Sequence, residues 1–188
     1  MSLKKKKIIL GVVGEIGAGK GELARYLSRE YKAYAYRSSE VLRDILKRMY
    51  LEENRVNVQD ASTMIRKFFG EDIISRISRV DLKKIKNKLI VIDGLRREAD
   101  FKYFKNGFDF KVIYVEADIK KRFRRISKRK ENVDDEKKTF QEFQREQLRE
   151  AERKIQKLKS KADFIIENNG SLKEFYREID NLINKIIN

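Results

Sequence analysis

At 188 residues the chain is long enough for one α/β domain with a core of its own. It has no cysteine and no histidine, which excludes disulfides, thiolate nucleophiles and imidazole bases and removes the usual zinc ligands. Its 46 basic and 30 acidic residues give a formal charge of +16, spread over many helical faces, which favours a lysine-rich surface with an arginine-lined anion site over a nucleic-acid binder.

Lys4-Lys5-Lys6-Lys7 before an apolar run has the outline of an export signal. The run is short, Glu15 interrupts it and no small-residue cleavage site follows. With no stretch long enough to span a membrane, a cytoplasmic protein is expected. Ile8 to Val13 reads as a buried strand, and a helical pattern opens at Leu23-Ala24. Between them lies Gly14-Glu15-Ile16-Gly17-Ala18-Gly19-Lys20-Gly21. A strand, a glycine-rich turn and a helix start make a phosphate-binding loop: glycines let backbone N–H groups close around an anion, the helix terminus adds partial positive charge, and Lys20 adds a full one. The expected nucleotide contacts are Gly14, Glu15, Ile16, Gly17, Ala18, Gly19, Lys20, Gly21 and Glu22.

Lys32 to Arg37 reads as a short strand, followed by Ser38-Ser39-Glu40-Val41-Leu42-Arg43. Apolar residues then recur at helical spacing through Val41, Leu42, Ile45, Leu46 and Met49, through Met64, Ile65, Phe68 and Phe69, and through Ile73, Ile74, Ile77 and Val80. These helices, about 38–87, are the expected acceptor-binding part, with Arg55 and Gln59 unassigned within it. Lys88 to Ile92 and Phe110 to Val115 are β-branched, nearly continuously apolar strands. Asp93-Gly94-Leu95-Arg96-Arg97 follows the first of these, where an acid at the strand end can hold Mg²⁺ through water or simply terminate the strand in an Asp-Gly turn.

Beyond the second, Arg125 and Arg129 lie at i and i+4 on one helix face, while Arg122 and Arg124 lie on other faces. The polar stretch about 130–138 reads as a short lid. Thr139 with Glu142, and Ser171 with Glu174, match capping boxes and predict two helix starts. The first opens a long helix with Leu148, Ala151, Ile155 and Leu158 as a packing stripe, a dimer seam being the other use, so monomer and homodimer both stay open. Arg145 and Arg149 on that helix are secondary candidates for the phosphates. Phe164 to Ile166 is a last strand, before a helix with Leu172, Phe175, Ile179, Leu182, Ile183 and Ile186 on one side. The alternation predicts a single domain: a five-stranded parallel sheet with helices on both faces and ligands beyond the carboxyl ends of its strands.

The loop resembles that of the nucleoside monophosphate kinases, G-x-x-G-x-G-K-G-T, through Gly14, Gly17, Gly19, Lys20 and Gly21, with Glu22 in place of the Thr. Asp93 to Arg97 resembles their D-G-F-P-R, which implies Arg97, with Arg96 beside it, as a clamp on the acceptor phosphate. Phe101 falls where the family has its base-reading Gln. Arg37 to Arg43 resembles S-T-G-D-x-L-R and implies Ser38 and Arg43 at the acceptor; Arg125 to Arg129 resembles R-I-x-x-R and implies Arg125 at the adenine and Arg129 at the transferring phosphate. Ala162 to Leu172 resembles a segment of the dephospho-CoA kinases, A-D-x-x-I-x-N-x-G-S-L, and implies Asn169 near the adenine. The resemblance implies a P-loop kinase using ATP and Mg²⁺, with Lys20, Arg97, Arg125 and Arg129 as its catalytic cations, on a small nucleotide-like acceptor. An ATP-regulated RNA-binding protein is the alternative from another class.

Overall fold

The computed structural model describes residues 7–129, 139–148 and 150–187. In chain order the elements are β1 (Ile8–Val13), α1 (Lys20–Tyr31), β2 (Tyr34–Arg37), α2 (Glu40–Arg48), α3 (Arg55–Phe69), α4 (Ile73–Lys84), β3 (Leu89–Asp93) and α5 (Glu98–Lys105). Then come β4 (Asp109–Glu116), α6 (Ile119–Arg129), α7 (Phe140–Gln147), α8 (Glu150–Lys157), β5 (Phe164–Glu167) and α9 (Leu172–Ile187). The strands form one sheet in the order β2-β3-β1-β4-β5, every pair parallel.

Strand periodicity divides the core into two layers. Leu10, Val12, Leu89, Val91, Ile113 and Val115 face Leu23 and Leu27 of α1 and Phe175, Ile179 and Ile183 of α9. Ile9, Val13, Ile90, Ile92, Val112 and Tyr114 face the other way, onto Leu82 of α4 and Phe101 and Phe104 of α5. Both faces being covered, β1 and β3 carry no polar residue before the final Asp93. Gly11 belongs to this packing: a Cβ there would come within 2.8 Å of Leu95 and 2.9 Å of Phe110.

The connection leaving β1 crosses one face through α1, and the one leaving β3 crosses the other through α5. Neighbouring strands whose connections part in this way leave a crevice at their carboxyl ends. The glycine-rich loop and the Asp93-Gly94 turn open onto it.

Helices α2, α3 and α4 make a smaller satellite core around Val41, Leu42 and Ile74, with Ile45, Val58, Ile65 and Ile77 against it. Of the apolar residues expected inside, Met49, Met64, Phe68, Phe69 and Val80, and Leu172 of α9, are more than half exposed. Both capping boxes form: Thr139 N–H donates to Glu142 at 2.7 Å, and Ser171 N–H to Glu174 at 2.7 Å. The long helix expected beyond Thr139 is instead two, α7 and α8. Gln147 is drawn inward by Arg122, leaving Leu148 63% exposed while Ile155 and Leu158 are buried. The expected lid and Arg149 lie outside the described residues.

Candidate active site

The loop after β1 is shaped by what it passes. Gly14 has φ +145° and a Cβ there would meet the Val115 carbonyl at 2.3 Å; Gly19, at φ +113°, would meet the Asn168 amide at 2.2 Å. Both the dihedral and the space demand glycine. Gly21, inside α1, has nothing within 4 Å of an added Cβ. Lys20 Nζ donates to the Gly14 carbonyl at 2.8 Å and the Glu15 carbonyl at 3.1 Å, so its charge lies over the loop. Gly19 caps α1 without a side chain, which brings the helix N-terminus up to the loop.

The outer edge of the loop is held by arginines of α6. Arg122 is 3% exposed. It donates to Glu15 at 3.0 Å, to the Ala117 carbonyl at 3.1 Å, to the Ile16 carbonyl at 3.3 Å and to Gln147 at 2.8 Å. Gln156 of α8 donates to the same Glu15 oxygen at 3.0 Å. Three residues on, Arg125 donates to the Ala18 carbonyl at 3.3 Å and to Asn168, at 2.8 Å to its carbonyl and 3.1 Å to its side chain. Burial lowers the Arg125 pKa from its ordinary value. Asn168 closes the ring by donating to the Ala18 carbonyl at 2.8 Å. With the Ile16 and Ala18 carbonyls held by these side chains, the loop is biased to present N–H groups inward, the arrangement an anion needs.

Several expected residues stand elsewhere. Glu15 is a brace of the loop, and Glu22 is held by Tyr176 of α9 and by Arg25 of its own helix α1. Burial acts to raise the Glu22 pKa, but those two contacts outweigh it and the net shift is downward. Asn169 accepts from Asp118 N–H at 2.7 Å and steadies the entry to α6; Asn168 is the residue on the loop. Arg129 closes α6, and Arg145 is exposed on α7. Arg122 and Asn168 are the residues sequence reasoning missed. The spacing of Arg122 three before Arg125, together with an acid inside an anion-binding loop, is the signal that could have found Arg122.

On the other side of the crevice, Asp93 pairs in register with Val12 and Arg37, so it stands between the ends of β1 and β2. One of its oxygens accepts the Gly94 N–H at 2.7 Å. Ser38 N–H donates to the Asp93 carbonyl at 3.0 Å, and the Ser38 hydroxyl is buried with no hydrogen-bond partner. Arg97 caps α5, and its guanidinium touches Glu71. Arg96 is exposed, its N–H bonded to Asp100 at 3.1 Å. Arg43 is taken up by Glu53, bonding its carbonyl at 2.9 Å with the carboxylate at 3.7 Å. Arg66 lies 3.6 Å from the buried Asp100, whose other oxygen accepts the Arg97 N–H, and burial together with the Arg66 charge lowers the Arg97 pKa. Phe101 is 3% exposed and packs on Phe110 in the core, so a base cannot be read from that position.

Among the described residues no three acidic side chains gather that could hold a metal by themselves. Asp93 has an oxygen not used by the Gly94 bond, which suits a Mg²⁺ that takes its other ligands from phosphate and water.

Residues 13–144 match the family described as AAA domain. A UPF0200 protein of Staphylothermus marinus is 30% identical over 182 residues, covering 97% of this chain and 94% of that protein. The chain belongs to the AAA domain family and to the UPF0200 proteins. A UPF0200 protein of Methanococcus maripaludis is 26% identical over 96% of this chain and 98% of its own. Among solved structures, shikimate kinase from Bacteroides thetaiotaomicron superposes with a TM-score of 0.63 at 13% identity, covering 95% of this chain and 98% of that one. Dephospho-CoA kinase from Campylobacter jejuni gives 0.57 at 16% identity, covering 96% and 97%. At such identities the likeness is one of fold, and the fold is that of the P-loop kinases. Among the described residues no helix is long and apolar enough to cross a membrane.

Proposed function

We propose that this UPF0200 chain transfers the γ-phosphoryl group of ATP to a small nucleotide-like acceptor, a nucleoside or deoxynucleoside monophosphate first among them. One observation carries the reading. The glycine-rich cradle with Lys20 and the Asp93-Gly94 turn with Ser38 open onto the same crevice, from the ends of neighbouring strands. A bare nucleotide switch would use Asp93 for its metal but has no need of Ser38 and Arg97 beside it.

In this reading the loop N–H groups and Lys20 grip the β- and γ-phosphates, and α6 keeps that grip in shape through Arg122 and Arg125. Arg97 orients the acceptor, and Arg129, the last residue of α6, neutralises charge on the transferring phosphate. Mg²⁺ bound with the nucleotide would supply charge neutralisation at the phosphates, with Asp93 as its protein ligand through water. The test is ADP release measured with a panel of ribo- and deoxynucleoside monophosphates and dephospho-CoA. Turnover with one acceptor well above water hydrolysis supports the reading; ATP hydrolysis indifferent to every acceptor overturns it.

A second reading, a dephospho-CoA kinase-like enzyme, is favoured by the segment Ala162 to Leu172 and by the dephospho-CoA kinase fold match. The same panel separates the two. An RNA-binding role would instead show tight, strongly salt-dependent RNA affinity without any phosphorylated small molecule.

A further inference from the structure

Among the described helices, four carry an acid three residues past the N-cap: Glu22 on α1, Asp100 on α5, Glu142 on α7 and Glu174 on α9. On three of them it turns back to the helix start. Asp100 accepts the Arg97 N–H at 3.1 Å, Glu142 the Thr139 N–H at 2.7 Å and Glu174 the Ser171 N–H at 2.7 Å. Electrostatics favours that place, because first-turn N–H groups lack partners within the helix and form its positive end. Glu22 is the exception: it accepts from the Tyr176 hydroxyl at 2.5 Å and from Arg25 at 2.5 Å. α1 begins at Gly19 with no side-chain cap, and the Leu23 N–H bonds the Gly19 carbonyl at 3.0 Å. The helix whose acid is turned aside is the one that opens onto the phosphate loop. Tyr176 is itself fixed. Its ring stacks on Tyr26 at 4.1 Å, and Arg29 lies 5.3 and 5.4 Å from the two ring centres. The Tyr26 hydroxyl donates to Asp180 at 2.9 Å and that of Tyr31 at 2.8 Å, which ties α1 to α9. Arg25 is 75% exposed, so its pair with Glu22 is the weaker tether.

We propose that Tyr176 is a positioning residue: it holds the Glu22 carboxylate off the N-terminus of α1 and so keeps the phosphate seat open. This rests on the phosphate-loop part of the reading above and adds a control on that site. Freed from Tyr176, Glu22 would cap α1 as its three counterparts cap their own helices. It would then be an internal anion competing with the nucleotide for the same N–H groups and repelling its charge.

The experiment is calorimetric titration of the full chain with a non-hydrolysable ATP analogue and, separately, with inorganic tripolyphosphate. Wild type, Y176F, E22A and Y176F/E22A are compared. Phenylalanine keeps the ring on Tyr26 and removes only the hydroxyl that holds Glu22. Y176F should weaken both ligands by about fivefold to tenfold, the worth of one N-terminal cap. Y176F/E22A should bind both as tightly as E22A, because the competing anion is gone. Wild-type affinity in Y176F overturns the proposal. So does a double variant as weak as Y176F, which would give Tyr176 a packing role alone, or a loss seen with the analogue and not with tripolyphosphate. A second readout needs no ligand. In NMR spectra of the free chain the Gly19 amide proton should move downfield in Y176F, as Glu22 accepts it, and not in Y176F/E22A. An unmoved Gly19 amide in Y176F also overturns the proposal. If wild type binds neither ligand, the phosphate-loop reading fails, and the Gly19 resonance still decides where Tyr176 keeps Glu22.

Discussion

The two halves of the crevice are built in opposite ways. On the nucleotide side the backbone makes the site: Gly14 and Gly19 are locked by dihedral and by contact, and carbonyls of the loop are tied outward to Arg122, Arg125 and Asn168. On the acceptor side the backbone only brings elements near, and the proposed site is made by side chains from the β2–α2 turn and the β3–α5 turn. Its support is a small satellite core whose helix α3 leaves Met64, Phe68 and Phe69 exposed. A cradle of backbone N–H groups must be rigid to bind at all. A clamp of long side chains tolerates, and uses, a looser base.

The largest expected effect falls on the rigid half. Lys20→Ala should lower phosphoryl transfer by roughly three orders of magnitude or more, because a full charge aimed at the phosphates is removed from a site that water does not refill equivalently. Its side chain lies over the loop and not in the core, so the melting temperature should hold. A folded mutant turning over near the wild-type rate would break the nucleotide half of the comparison.

Arg97→Ala should act on the other half alone. The acceptor KM is expected to rise by roughly a hundredfold and kcat to fall, with the KM for ATP within a factor of about two. Steady-state kinetics in both substrates checks this; a loss confined to ATP would place Arg97 on the wrong side.

The brace behind the loop comes next. Arg122→Met removes the cation facing Glu15, whose side chain is only 12% exposed, and should cost about 2–4 kcal/mol in urea unfolding. Glu15→Gln together with Arg122→Met should recover much of that, since no lone buried charge is then left. Nucleotide affinity should fall in both, because the Ile16 carbonyl loses its outward bond. Additive losses in the double mutant would show the pair to be independent.

How far the sequence could be read follows the same division. The strands expected at Lys88 to Ile92 and Phe110 to Val115 lie within one residue of β3 and β4, because buried parallel strands are continuous apolar runs. The loop was legible because its glycines, Lys20 and helix start are adjacent in the chain. Arg122 was not, since its importance arises from Glu15 and Ile16, more than a hundred residues away in sequence. Arg43 shows a related limit: a motif gives its position on α2 but not the Glu53 that bonds it. Asn169 and Asn168 differ by one residue at the end of β5, where successive side chains point to opposite faces, and only Asn168 meets the loop.

The smallest expected effect tests how much of the nucleotide half is strict. Gly21 differs from Gly14 and Gly19: it lies inside α1 and a Cβ there meets nothing within 4 Å. Its side of the loop is therefore glycine by choice of chemistry and not by lack of room. Gly21→Ala should be stabilising by about 0.5–1 kcal/mol, the helix-propensity difference, with ATP affinity unchanged. Gly21→Ser adds a hydroxyl at the position where many phosphate loops hold Mg²⁺, so it should lower the Mg²⁺ concentration for half-maximal activity by a few-fold relative to Ala. The Ser–Ala difference isolates that hydroxyl from the shared Cβ. Equal Mg²⁺ dependence in the two mutants would mean the metal is held from the Asp93 side through water, beyond reach of a residue at position 21. Loss of ATP binding in both would mean the open space beside Gly21 is filled by the nucleotide itself, and would extend the steric rule of Gly14 and Gly19 to the whole loop.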